Sequence, residues 1–340
     1  MLDKGLTKNR EFNNFTSRIN KWYNKQSKIL TIITNPYNST LIFIDLIERI
    51  LKENKKILYI WGGNEPNKDI VEILKERNLN FTYSYIEEKE GKEDLTFLNF
   101  TSTSKIKKNY DLCIFDDISI YSKISKEDLR KCVEDLYLYG NRMIIFSIEK
   151  VVNMGKSIFL SDLKRSKPFV EPRIITTRVK LDEDIPYTLY DYLMWFKSNN
   201  RKVIIFVPTE EKINKLYNYY KEELKIKDVR IIKFLKGDNL KEIELIYKLK
   251  NKSVFVITNN IRSYAKETSD IDIVALFSDD IFYSYKRIIY FCSDVGKNTK
   301  DDKMGEVILV AKEISKDMDL AKDMTRGYNK QIWEKGLLNY

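Results

Sequence analysis

An α/β protein of two lobes, each built on a mostly parallel sheet, is what the sequence predicts, and three observations predict it. Short apolar runs of strand length alternate with amphipathic stretches of helix length along nearly the whole chain, the pattern of strand-helix-strand crossovers. The series breaks once, between Lys150 and Lys180, where Pro168, Pro172 and eight basic residues against Asp162 and Glu171 give a local net charge of +6. Finally, 340 residues with 43% hydrophobic and 32% charged content suit about two soluble globular domains. The divisions that follow are an N-terminal extension over 1–28, a first Rossmann-like lobe over 29–160, a basic hinge over 161–185 and a second lobe over 186–340.

Taken in order, Ile29 to Thr34 (ILTIIT) is apolar on both faces and reads as a buried strand. Leu41 to Glu53 has a helical period, Ile57 to Trp61 reads as a strand, Asn67 to Arg77 as a helix and Asn80 to Tyr85 as a strand. Leu95 to Thr101, Asp111 to Asp116 and Met143 to Ser147 continue the strands, with a helix from Lys126 to Tyr139 between the last two. Beyond the hinge come helix Tyr187 to Lys197, strand Lys202 to Val207, helix Glu210 to Leu224, strand Val229 to Phe234, helix Leu240 to Leu249 and strand Ser253 to Thr258. Strands Ile271 to Phe277 and Glu306 to Ala311 follow, then a helix from Ser315 to Glu334.

Composition narrows the chemistry. There are 60 Lys+Arg against 50 Asp+Glu, a net charge of +10, and no histidine. Every mechanism that needs an imidazole as base, acid or metal ligand is therefore excluded. Cys113, Cys132 and Cys292 lie far apart and form no C-x-x-C pair, which argues against a zinc site or a disulfide framework and for a reducing, cytoplasmic setting. The N-terminal residues have no apolar h-region, and apolar runs such as Val203 to Val207 fall far short of the roughly 20 residues that cross a bilayer, so no membrane span is expected. The positive balance suits a polyanionic partner, and a bias toward Lys, Ile, Asn and Tyr would produce it equally well.

In open parallel sheets ligands bind beyond the carboxyl ends of strands, so the loops there hold the candidates. Asn35-Pro36-Tyr37-Asn38-Ser39-Thr40 follows the first strand and opens into a helix, the position of a phosphate-binding loop. Of the G-x-x-x-x-G-K-[ST] pattern only the hydroxyl of Thr40 remains: Ser39 stands where the lysine belongs, Pro36 removes an N–H donor, and Asn38 is the residue able to turn left-handed. Taken by itself, Ser39 reads better as an ordinary helix N-cap than as part of a phosphate loop. The strand Leu112 to Phe115 delivers Asp116 and Asp117, an arrangement in which one acid can hold Mg²⁺ and the next can position water, or which is a solvated strand-end turn.

Strand, IFVPT, helix, VFVITNNIR, DIDIVALFSDD and GEVILVAKEISKDMDLAKDM together resemble the second RecA-like lobe of superfamily 2 DNA helicases. Within that group the chain is most similar to the competence DNA-uptake ATPases of the ComFA (comF operon protein A) family. In the first lobe KKILYI resembles the strand before motif Ia, FLNFTSTSKI the nucleic-acid loop, and LCIFDDIS the D-E-x-D box. The resemblance implies two RecA-like lobes of the P-loop NTPase type, Mg-ATP as cofactor, single-stranded DNA as partner and a competence-machinery protein as a further partner.

It also implies roles. Asn38, Ser39 and Thr40 take the nucleotide loop, Thr40 and Asp116 the magnesium, Asp116 and Asp117 the Walker B box, and Lys297 the arginine finger. Thr101, Ser102, Thr103, Thr258, Asn259 and Asn260 are candidates for backbone phosphates and suit caps of the following helices equally well, and the charge of Lys164, Arg165, Lys167, Arg173 and Arg178 would add sequence-independent attraction. The departures all touch the γ-phosphate. G-x-G-K-T appears as Tyr37-Asn38-Ser39-Thr40, the base is shortened to Asp117, T-A-T-P becomes Ser147-Ile148-Glu149, and Q-I-A-G-R-V-G-R becomes Tyr290 to Lys297, with Asp294 and Lys297 at the two arginines. Lysine lacks the guanidinium fork, and loss of such a finger costs about 10³ to 10⁵ in rate. The family's cysteine-rich zinc module has no counterpart before Cys113. The expectation is a helicase-like, nucleic-acid-binding pseudoenzyme. The alternatives are an active ATP-dependent single-stranded DNA translocase and a non-catalytic interaction protein. A two-lobed nucleotide-sugar transferase shares the architecture but not the motif order.

Overall fold

The strands of the first half assemble into one sheet: β1 (Ile29–Thr34), β2 (Ile57–Trp61), β3 (Tyr83–Tyr85), β4 (Leu95–Asn99), β5 (Tyr110–Asp116), β6 (Gly140–Ser147) and β7 (Lys156–Leu160). In this computed structural model, which describes residues 10–25, 27–34, 36, 40–87, 92–118, 122–160, 168–235, 237–247, 249, 251–260, 271–295 and 305–334, they lie in the order β3-β4-β2-β5-β6-β1-β7. Every pairing is parallel. β2 is buried throughout and β5 nearly so, as befits strands covered by helices on both faces. The covering helices include α1 (Arg10–Tyr23), α2 (Ile44–Lys52), α3 (Lys68–Glu76) and α4 (Lys126–Asp135). Asn67 and Ser125 cap α3 and α4 by accepting the N–H of Ile70 and of Asp128, which satisfies donors the helices leave open.

The second half repeats the plan with β8 (Arg173–Thr176), β9 (Lys202–Phe206), β10 (Val229–Phe234), β11 (Ser253–Thr258), β12 (Ile271–Leu276) and β13 (Val307–Ala311). Their order is β10-β11-β9-β12-β13-β8, again all parallel. Here the helices are α5 (Tyr187–Ser198), α6 (Glu210–Asn218), α7 (Leu240–Tyr247), α8 (Tyr285–Asp294) and α9 (Lys316–Glu334). Phe206 stacks on Phe291 at 4.5 Å between ring centroids, and Tyr283 donates its hydroxyl to the Phe206 carbonyl, fastening α8 to the sheet. Near the amino ends of β9 and β12 Arg201 and Asp272 form a buried, two-pronged ion pair. The chain divides into two compact units, Met1–Lys164 and Arg165–Tyr340.

Several elements differ from the sequence expectation. The N-terminal extension carries α1, which buries Phe15, Ile19 and Trp22. Its apolar stripe is one residue wide per turn in an otherwise polar run, so the period is hard to see. The helix expected from Leu41 begins as a 3₁₀ turn, Thr40–Phe43, before α2. The strand expected from Asn80 shrinks to β3 because the Thr82 N–H and hydroxyl both bond the Asp94 carboxylate, at 2.9 and 2.8 Å. Past Asn218 the helix expected to run to Leu224 widens into a π turn, Tyr219–Glu223, which buries Tyr220. Edge strands β7 and β8 sit where the rhythm was expected to break, since each has polar or half-exposed positions that read as loop.

Candidate functional site

Sheet order places the first unit's chemistry. β6 lies between β1 and β5, so the turn after β1 and the carboxylates ending β5 occupy the same sheet edge one strand apart. Asp116 is the last residue of β5, and its register partners are Trp61 on β2 and Phe146 on β6. Side chains alternate along a strand, so Tyr59, Trp61, Ile114 and Asp116 share a face. The Thr40–Phe43 turn packs on that face through Phe43, whose ring meets Phe146 edge-on at 5.1 Å.

The result is a dry cluster. Asp116 and Asp117 are only 1% and 2% exposed, and each is held by its own chain. The Tyr59 hydroxyl donates to Asp116 Oδ2 at 2.8 Å, and the Ile118 N–H donates to Oδ1 at 3.2 Å. The Thr40 hydroxyl bonds the same Tyr59 hydroxyl. On Asp117, Ser122 donates to Oδ1 at 2.5 Å and Ser147 to Oδ2 at 2.7 Å. Burial first, and then the neighbouring Asp116 carboxylate, push the Tyr59 phenol well above its ordinary range. Tyr59 therefore stays a neutral donor.

Thr40 and Asp116, the two residues assigned to magnesium, do converge, but on a phenol. Magnesium demands oxygen ligands at about 2.0–2.1 Å and keeps several waters, and this buried cluster already has its oxygens in hydrogen bonds. Among the described residues no group of three or more Cys, Asp or Glu side chains is placed to hold a metal. Among the described residues, Thr40 and Asp116 as they are bonded do not fit a magnesium ion. Asn38, Ser39, Lys164, Arg165, Lys167 and Lys297 lie outside the described residues.

The threonine, serine and asparagine candidates lie at the carboxyl edges of the two sheets, whereas Arg173 opens β8 at its amino end and pairs with Glu306 at 2.7 Å. In the first unit Thr101 is exposed, Ser102 half-buried and Thr103 buried. Asn99 Oδ1 accepts both the N–H and the hydroxyl of Thr101, at 3.0 and 2.9 Å, and Thr103 bonds the Cys132 thiol at 3.7 Å. Thr101 and Ser102 thus face outward while Thr103 anchors the turn. The sequence reading missed the neighbouring loop after β2. Asn99 Nδ2 donates to the Gly63 carbonyl and to Asn64, at 3.1 and 3.0 Å, tying Gly62-Gly63-Asn64 to the Thr101 turn as one rim. Gly63 must be glycine, because a Cβ there would lie 2.3 Å from the Trp61 ring. The paired glycines directly after a strand were the available signal.

In the second unit Thr258 is fully buried and its hydroxyl accepts the Asn260 N–H at 2.9 Å, so it shapes the turn that presents Asn259. Beside it, Thr209 caps α6 by accepting the Lys212 N–H at 3.3 Å. Phe277, just past β12, has a φ of 58°, a left-handed backbone uncommon for an aromatic residue. Its ring lies under Lys212 Nζ at 4.2 Å.

No protein-family model matches the sequence. No curated protein matches it. Among solved structures, the E. coli DExH-box NTPase HrpB aligns over 92% of this chain with a TM-score of 0.57 at 13% identity. The fold this likeness shows is two RecA-like units, each a parallel sheet flanked by helices. The chain spans 42% of the HrpB chain's length. The helicase MrfA bound to DNA aligns over 94% of this chain and 48% of its own, at a TM-score of 0.49 and 13% identity. The Sulfolobus solfataricus SWI2/SNF2 ATPase core in complex with dsDNA aligns over 96% of this chain and 93% of its own, at 0.39 and 11%. Among the described residues no helix is long and apolar enough to cross a membrane.

Proposed function

We propose that this is a nucleic-acid-binding protein on a helicase-type fold, related to the competence DNA-uptake ATPases, in which ATP turnover is lost or very weak. One observation carries it: the carboxylate pair at the Walker B position is sealed by Tyr59, Ser122 and Ser147 instead of being open to a magnesium-nucleotide. The motif order and the net charge of +10 support a single-stranded DNA partner. Ser102, the Gly62-Asn64 loop and Asn259 are the backbone-phosphate contacts, because small hydroxyl, amide and N–H donors fit phosphate oxygens, and Thr101, which gives both its donors to Asn99, holds the turn that carries Ser102. Thr103 and Thr258 position those loops. Lys164, Arg165 and Lys167, with Arg173 and Arg178, add attraction independent of sequence. The setting is the cytoplasm, with a protein of the competence machinery as a further partner.

Fluorescence anisotropy of a labelled oligothymidylate across a salt series tests the binding. Neutralising about four phosphates gives a slope of about −3 in log K against log salt, at roughly −0.7 per contact. Thr101→Ala with Ser102→Ala weakens binding at every salt concentration. A flat salt response, or no binding at low salt, makes the protein an interaction module instead. Steady-state hydrolysis at saturating Mg-ATP with single-stranded DNA is expected at background. Turnover on the order of 1 per second, within the range of working phosphoryl-transfer enzymes, restores the translocase.

A further inference from the structure

We propose that Tyr59 is a built-in plug of the nucleotide site: its hydroxyl, donating to Asp116 and bonded to Thr40, takes up both side chains that a nucleotide-bound divalent cation would require. The inference deepens the proposed loss of ATP turnover and rests on that reading. Its basis is geometric. The phenol oxygen stands 2.8 Å from Asp116 Oδ2, within the space where a cation ligated by that oxygen and by the Thr40 hydroxyl would have to lie. Tyr59 is 0% exposed, and its ring packs against Phe97 at 5.5 Å between centroids. It belongs to β2, hydrogen-bonded on both sides by β4 and β5. Strand pairing fixes its backbone and burial against Phe97 holds its ring, so a cation must displace a packed group.

A neutral phenol also suits this place chemically. It donates one hydrogen bond to a buried carboxylate without bringing in a hydration shell, whereas Mg²⁺ retains several waters and needs room for them. Thr40 and Asp116 are bridged by the Tyr59 side chain, which closes the position between them.

The test is Mn²⁺ binding to the full chain, followed by loss of the free-ion electron paramagnetic resonance signal, with and without ADP. Wild type, Tyr59→Phe, Asp116→Asn and the double variant are compared, with circular dichroism to confirm folding. Tyr59→Leu replaces Tyr59→Phe if the latter does not fold. Wild type is expected to show no Asp116-dependent site. Tyr59→Phe gains one, at least roughly tenfold tighter than wild type, the factor set by one hydrogen bond to a charged group. The double variant loses it. A folded Tyr59 variant that gains no Asp116-dependent site overturns the plug. So does a wild-type Mn²⁺ site that Asp116→Asn removes. ATP hydrolysis on the same samples separates the two ideas: a wild-type Mn²⁺ site without turnover refutes the plug alone, and wild-type turnover refutes the loss of ATPase.

Discussion

Breaking one half of the ion pair in the second unit should cost more stability than removing the whole pair. Arg201 Nε and Nη2 donate to Asp272 at 2.6 and 3.0 Å, and the two residues are 4% and 0% exposed. Asp272 also accepts the Glu306 N–H at 2.7 Å, so it joins β12 to the approach of β13. Asp272→Asn removes the carboxylate charge facing the buried Arg201 guanidinium, and losing one partner of such a pair costs about 3–5 kcal/mol. For a unit of this size each kcal/mol moves the melting temperature by roughly 2–4 °C. A fall of roughly 10 °C in the second unit's transition follows. Burial pushes the Asp272 carboxyl above its ordinary range, outweighing the pull of Arg201, so the pair gains little over an apolar replacement. Arg201→Met with Asp272→Leu should therefore lie within about 2 kcal/mol of wild type, the Glu306 N–H losing its acceptor at about 1 kcal/mol. Urea unfolding of the full chain, read by circular dichroism and tryptophan fluorescence and fitted with one transition per unit, measures the cycle. A double variant as unstable as Asp272→Asn, or a single variant indistinguishable from wild type, would refute this reasoning.

Tyr59 and Tyr283 are held well above the ordinary phenol range by burial, and Tyr220 is raised for the same reason. Their stabilisation is present below about pH 10 and is lost as pH rises further, since the unfolded phenols ionise first. Alkaline titration of tyrosine absorbance should show a late class that appears only with unfolding; a single unperturbed class refutes it. The buried thiols give a third readout. Cys113 is pushed up to about 12 and Cys132 is also raised, both by burial, and Cys292 is likewise buried. A thiol reagent should leave native protein unmodified and label all three cysteines after denaturation, whereas a thiol reacting rapidly in native protein contradicts the packing.

The alternation of buried apolar runs with amphipathic stretches determined, from sequence alone, that this is a parallel α/β chain and where most strands lie. β2, β5, β9 and β11 are buried along most or all of their length, and a strand buried on both faces must be apolar at successive positions, a signal local to a few residues. The carboxylates at the end of β5 were legible for the same reason. Which groups those carboxylates meet was not. Tyr59 lies 57 residues from Asp116, and Ser147 30 residues from Asp117, and no local period records that β2 and β6 flank β5. A tyrosine in a fully buried strand says only that its hydroxyl needs a partner. The inward turn of Thr103 toward Cys132 and the burial of Thr258 were hidden in the same way, because a threonine after a strand has the same spelling whether it faces solvent or a thiol. Local periodicity decides elements. The order of strands in a sheet decides neighbours, and the chemistry of this site is a property of neighbours.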